Sequence, residues 1–261
     1  MTQIVLIMMT IWLFCFFGQL FILKMAYVFD KPIAIFTLIV LLVFVGLCLA
    51  PLHCFYMRAR KEVLVVLYNI VISPFGLVRF KHFFLADVLT SFVNPLKDIA
   101  LLLYFFINGN WLTSKRFEAK DNFGLLMTTL IIALLPFWFR FAQCLVRYKE
   151  TKLNAHLWNA GKYMSSLFLQ LANMFRTLCP LSPVVVPLYI CVALASTIYC
   201  LIWDYYMDWG LIRSNEAGKR YLRPKLLFPR WFYYYAMASN CVMRFFWATN
   251  LIHTDANHWV A

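Results

Sequence analysis

Charged side chains are scarce in this sequence. Only 13% of its 261 residues are Asp, Glu, Lys or Arg, 64% are hydrophobic, and the mean hydropathy is +0.74. A soluble domain carries about 25% charged residues, so the composition excludes a soluble fold and points to a polytopic membrane protein. Other absences narrow the reading. No N-x-S/T sequon occurs, so glycosylation marks no face of the membrane. No C-x-x-C occurs either; the eight cysteines are scattered, mostly within apolar runs, and read as small packing residues. The first hydrophobic run lacks a basic n-region and a small-residue cleavage site, which makes it a retained span and not a signal peptide. There is no internal repeat and no low-complexity linker. The chain therefore reads as one membrane domain, with residues 1–62 as N-terminal transmembrane segments and 63–261 as the remainder.

What is present in quantity is apolar sequence. Runs recur at about 4–23, 33–52, 83–107, 123–145, 156–175, 184–206 and 231–252, most near the ~20 residues that cross ~30 Å of hydrocarbon as helix. The expected fold is an all-α, polytopic transmembrane helix bundle of seven spans. The run at 63–78 is shorter and ends in Ser73, Pro74 and Gly76, the pattern of a short or re-entrant element. If 63–78 does not cross, the segments 53–82, 146–155 and 207–230 share one face and hold 14 of the 24 Lys and Arg, and the opposite loops hold 6. The positive-inside rule then makes the loop with Arg213, Lys219, Arg220, Arg223, Lys225 and Arg230 cytosolic. The net charge of +13 is thus accounted for by topology, with membrane lipid and not nucleic acid as the partner.

Four cations remain within the spans, Lys97, Arg140, Lys162 and Arg244, and four acids lie in spans or at their ends, Asp87, Asp98, Asp204 and Asp208. Each costs roughly 2.5–3.5 kcal/mol at the bilayer centre, so each is expected to face a partner, water or the bundle interior. Asp87, Ser91, Asn94 and Asp98 recur at intervals that hold a stripe to one helix face, with Pro95 expected to kink that helix. Asn159, Lys162, Tyr163, Ser166, Gln170 and Asn173 share a second face; Arg140 and Gln143 sit on a third helix, and Asn240, Arg244 and Trp247 on a fourth. Asp204 and Asp208, four apart, are expected one above the other on a helix. Helix-to-helix bonding is the plain reading of any single Asn, Ser or Gln. Cations on several helices interleaved with Asn, Tyr and Trp donors suit a small oxyanion such as phosphate, with nearby carboxylates holding the empty Arg and Lys in place.

Several of these stretches have a familiar form. FFLADVLTSF resembles the L-A-D-Q-L-N-S-L signature of the EXS family, and RFAQCLVRYKETK, HLWNAGKY, STIYCLIWDYYMDWGL and YYY…RFFW follow in the order that family has. The resemblance runs over roughly residues 70–250 and implies a transporter of inorganic phosphate, not an enzyme, needing no cofactor or metal. It also implies site residues: Asp87 of the L-A-D signature, Lys162 and Tyr163 of N-A-G-K-Y, Asp204 and Asp208 of W-D-x-x-x-D-W, and Arg244 and Trp247 of R-F-x-W, with Thr90 standing where the signature has Asn. Asn94, Asp98, Arg140 and Asn159 are further candidates for the pathway. The family's exporters carry an N-terminal SPX domain and a last helix with an R-R-F motif. The expectation is therefore a short, SPX-less form lacking that helix, like the yeast Golgi protein of the Erd type. A Golgi membrane is the implied location, a plasma membrane the alternative, and a homodimer one assembly open to it. Two other functions fit parts of the sequence. Asp204 and Asp208 at D-x-x-x-D spacing suit a Mg²⁺-dependent transferase acting on a diphosphate, and the basic loop suits a Golgi retention adaptor that transports nothing.

Overall fold

The structure, a computed structural model, describes residues 56–73, 75–108, 122–179, 182–212, 221–223 and 225–249, with five positions between 39 and 46. The expected span at 4–23, nearly all of that at 33–52, and Arg213, Lys219 and Arg220 lie outside these residues. Regular structure among the described residues is helical throughout, as the composition required. By contacts the chain divides into two units, residues 1–133 and 134–261.

In the first unit, helix α1 (Met57–Val71) starts in the basic MRARKE stretch and turns Val66 and Ile70 inward. Its 15 residues reach about 22 Å, short of the hydrocarbon thickness. The Ser73 hydroxyl donates to the Ile70 carbonyl at 2.7 Å and closes the helix. The chain then returns as α2 (Phe80–Ser91), which packs against α1 and is tied to it by an exposed Lys81–Glu62 pair at 2.9 Å. The run at 63–78 is therefore the end of a short helix and its turn.

Between α2 and α3 (Val93–Ile107) the axis bends by 64° at Phe92. This is the kink expected of Pro95: the proline has no N–H for the Ser91 carbonyl and its ring crowds that group, so the helix breaks there and restarts with the ring in the first turn of α3. The break corrects the stripe: Asp87 and Ser91 lie before it, Asn94 and Asp98 after it, so they do not share one helix face. Helix α4 (Phe123–Thr151) opens on Asn122, whose Oδ1 accepts the Leu125 N–H at 2.9 Å while its amide donates to the Tyr104 hydroxyl.

The second unit holds the remainder of α4, then α5 (Asn154–Leu178), α6 (Val185–Trp203) running on into a π-helical turn at Asp204–Asp208, and α7 (Arg230–Arg244) with a 3₁₀ turn at Phe246–Ala248. Two apolar clusters hold it. Cys144, Ala160 and Tyr163 pack with Phe137 and Phe141. Ala172, Tyr189 and Ala193 pack with Leu169, Ile190, Val192 and Trp247. Small residues let α5 and α6 approach closely: the Ser165 and Ser196 hydroxyls meet at 3.2 Å, and a Cβ on Gly161 would stand 2.7 Å from the Tyr199 hydroxyl. That hydroxyl donates to the Trp158 carbonyl at 2.8 Å, so glycine in N-A-G-K-Y makes room for an interhelical bond.

Among the described residues two helices are long and apolar enough to span a membrane, Phe123–Thr151 and Val185–Asp208, or three if the bent pair α2–α3 is one span. In the expected span at 231–252, the 15-residue α7 closes at Arg244 and the 3₁₀ turn follows. Helix α5 has the length, about 37 Å for 25 residues, but its polar face keeps it below the apolarity of the other two.

Candidate functional site

The polar residues of the second unit form two clusters with a lysine between them. On α4, Arg140 is 1% exposed and Gln143 is wholly buried. The Arg140 Nε and Nη2 donate to the Tyr163 hydroxyl at 3.1 and 2.8 Å, and Nη1 donates to Gln143 Oε1 at 3.0 Å. The guanidinium carbon also stands 4.7 Å from the centre of the Tyr163 ring. A desolvated guanidinium needs such partners, because five donors left unmet in the interior would be costly.

The second cluster joins the π turn to α7. Asp204, 9% exposed, accepts at Oδ2 from Asn240 at 2.9 Å, from Arg244 Nε at 2.8 Å, and from Arg244 Nη2. Asn240 and Arg244 are four apart on α7, which puts both on the face that meets this carboxylate. Beyond them, the Trp247 indole donates to the Thr197 hydroxyl at 3.0 Å and meets Tyr189 edge-on.

Lys162 stands between. Its ammonium lies 4.7 Å from the centre of the Tyr163 ring and 5.3 Å from that of Trp203, a cation held by aromatic faces. No carboxylate among the described residues forms an ion pair with it. Cys200 is half-buried on α6, one helical turn before Asp204.

The two acids of W-D-x-x-x-D-W have different surroundings. The Trp209 N–H donates to the Asp204 carbonyl at 2.8 Å, five residues back, the bonding pattern of a π turn. Asp204 turns inward to Arg244. Asp208 is exposed and accepts the Trp203 indole N–H at 3.0 Å. It thereby fixes the ring on which Lys162 rests. Among the described residues no group of three or more His, Cys, Asp or Glu side chains stands close enough to hold a metal ion, and the Asp204 carboxylate that a Mg²⁺ site would use is engaged by Arg244 and Asn240.

The structure thus brings together Arg140, Lys162, Tyr163, Asp204, Asp208, Arg244 and Trp247, with Asn159 on the same stretch of α5. In the first unit Thr90 donates to the Asp87 carbonyl at 2.6 Å, and Asp87, Asn94 and Asp98 are exposed. Sequence reasoning missed Trp203 as the platform for Lys162, although it sits beside Asp204. It also missed Thr197, two helical turns before Asp204 and so readable as part of its face. A separate cavity of about 350 Å³ is lined by Trp158, Tyr199, Ile202, Trp203, Tyr206 and Met207. That lining is apolar and aromatic, the wrong chemistry for an oxyanion.

Known proteins resemble this chain along nearly its whole length. The sequence model of the EXS family matches residues 1–260. An SPX and EXS domain-containing protein 1 of Dictyostelium discoideum is 30% identical over 228 residues, covering 85% of this chain and 24% of its own length. A xenotropic and polytropic retrovirus receptor 1 homolog of Danio rerio is 35% identical over 216 residues, 77% of this chain and 31% of the relative. Solute carrier family 53 member 1 of Mus musculus is 32% identical over 255 residues, 91% of this chain and 35% of the relative. The chain spans about a quarter to a third of the length of these relatives. With a family model matching from end to end, and apolar helices of membrane-spanning length behind a cluster of cations, this integral membrane chain belongs to the EXS family.

Proposed function

We propose that the chain moves inorganic phosphate across a membrane along the polar cluster of its second unit, with Lys162 and Arg244 as the binding cations. One observation carries the reading: the Lys162 ammonium is held over the rings of Tyr163 and Trp203 without a carboxylate counter-ion among the described residues. A cation placed this way at membrane depth is a vacancy for an anion. Arg140, fixed by Tyr163 and Gln143, adds positive potential from behind. Arg244 is neutralised in the anion-free state by Asp204, which keeps any bound oxyanion from being trapped. The family resemblance supplies phosphate as the anion and a Golgi membrane as the proposed location.

Phosphate flux into proteoliposomes tests this with the full chain, Lys162→Ala and Leu167→Ala, each with and without chelator. Losing one charge-assisted bond to phosphate, about 1.5–3 kcal/mol, lowers flux by roughly tenfold or more in Lys162→Ala. Leu167→Ala keeps its flux, and chelation changes nothing. Equal losses in the two variants would reduce Lys162 to packing. Wild-type flux abolished by the chelator would restore the metal reading of Asp204 and Asp208.

A further inference from the structure

Resting on the phosphate reading, we infer that Asn159 reads the proton of the substrate, so that the path accepts oxyanions bearing a hydroxyl, such as phosphate and arsenate, and rejects sulfate. Asn159 lies on α5 three residues before Lys162 and four before Tyr163, which places it on their side of the helix. It is 7% exposed, and its side-chain oxygen is buried without a hydrogen-bond partner. An orphaned buried acceptor is uncommon in native proteins and calls for an occupant.

The other polar groups of the proposed path have the opposite polarity. Arg140 and Lys162 are donors only, and the Tyr163 hydroxyl already receives two N–H groups from Arg140. Donors of this kind engage the bare oxygens of any tetrahedral oxyanion and cannot separate phosphate from sulfate, which match in shape. The difference between the two is a hydrogen. Near neutral pH phosphate carries at least one P–OH and sulfate carries none. The Asn159 oxygen gains a hydrogen bond from the first and faces only lone pairs on the second. A site whose polar group is left unpaired by the wrong ligand discriminates strongly against it.

The test is a comparison of phosphate, arsenate and sulfate flux in proteoliposomes at neutral pH for wild type, Asn159→Leu and Asn159→Asp. Leucine has similar bulk and no acceptor; aspartate keeps the acceptor and has no amide donor. The wild type prefers phosphate and arsenate to sulfate. In Asn159→Leu that preference falls about tenfold, the size of one buried hydrogen bond. In Asn159→Asp it is kept while total flux drops from the added negative charge. An unchanged ratio in Asn159→Leu would mean that the oxygen serves packing or a buried water and would overturn the inference. So would loss of the preference in Asn159→Asp, which would assign the selecting role to the amide N–H. If Asn159→Leu does not yield monodisperse protein, Asn159→Asp decides alone, preference retained for and preference lost against. A wild type that carries phosphate and sulfate equally refutes the inference and spares the transport reading, whereas one that carries neither sinks both.

Discussion

Asp204→Asn separates the two tasks that the phosphate proposal assigns to Arg244, pairing with Asp204 in the empty site and binding the anion. The substitution keeps the shape of the side chain and removes the charge that receives Asn240 and both arms of Arg244. Removing one partner of a fully buried ion pair costs about 3–5 kcal/mol. Here the Asp204 side chain is 13% exposed and that of Arg244 is 32% exposed. Water screens the guanidinium in part, which brings the cost to about 1–3 kcal/mol. At about 2–4 °C per kcal/mol for a chain of this size, the unfolding midpoint in detergent falls by about 2–12 °C. Phosphate then acts differently on the two proteins. In the wild type it competes with Asp204 for Arg244; in the variant it finds the guanidinium released. At a hundredfold excess over Kd a ligand adds about 2.7 kcal/mol, and because the variant's Kd is the lower, a given phosphate concentration shifts its midpoint further. The assay is thermal unfolding followed by tryptophan fluorescence across a phosphate series, with Arg244→Gln as the control that loses both effects. A phosphate shift in Asp204→Asn no larger than in the wild type would show that Arg244 does not take phosphate when Asp204 lets it go.

Two further outcomes follow from the packing around this site. Gly161→Ala drives a methyl to 2.7 Å from the Tyr199 hydroxyl and costs about 1–3 kcal/mol as overpacking. In a Tyr199→Phe background the obstacle is gone, and the helix preference of alanine over glycine, about 1 kcal/mol, makes the same change neutral or stabilising; equal costs in both backgrounds would refute the close approach. Cys200, one helical turn before Asp204, reacts with a charged methanethiosulfonate in a chain otherwise depleted of cysteine, and phosphate slows that reaction. Modification at the same rate with and without phosphate would place the anion elsewhere.

The helical class and the cations of the polar clusters were legible in the sequence because both follow from cost. Apolar runs of membrane length have few other uses, and a Lys or Arg inside one must be compensated, so Arg140, Lys162 and Arg244 announce themselves. Period alone did not suffice wherever the backbone left the regular α-helix. The stripe Asp87, Ser91, Asn94, Asp98 has helical spacing, yet the axis bends by 64° at Phe92 and divides it. Asp204 and Asp208 have it too, yet one meets Arg244 and the other the Trp203 indole. The first break carries its signal three residues on, in Pro95, whereas DYYMD reads as ordinary helix from its residues alone. Counting apolar runs also took YYYAMASNCVMRFFW as one continuous helix, whereas α7 closes at Arg244 and a 3₁₀ turn follows at Phe246–Ala248. The aromatic platform of Lys162 was hidden for a different reason: Trp203 and Tyr163 look like core, and only geometry shows which ring face a cation uses.

The unequal treatment of the three cations sets an order for their engagement in the proposed path. Arg140 is committed at Nε, Nη1 and Nη2 to Tyr163 and Gln143 and is almost inaccessible, so it acts through its field and stays in place. Arg244 is neutralised by a carboxylate through two of its nitrogens, and an arriving anion has to compete for it. Lys162 is restrained by two aromatic faces, each worth about 0.5–2 kcal/mol, and gives these up at less cost than Arg244 gives up its ion pair. In the proposed function phosphate would therefore meet Lys162 first and draw Arg244 from Asp204 second. Asp208 enters this order from a distance: by holding the Trp203 indole it keeps one of the two faces under the ammonium. The acids of W-D-x-x-x-D-W thus serve the same anion by different means, Asp204 as the competitor that releases Arg244 and Asp208 as the anchor that presents Lys162.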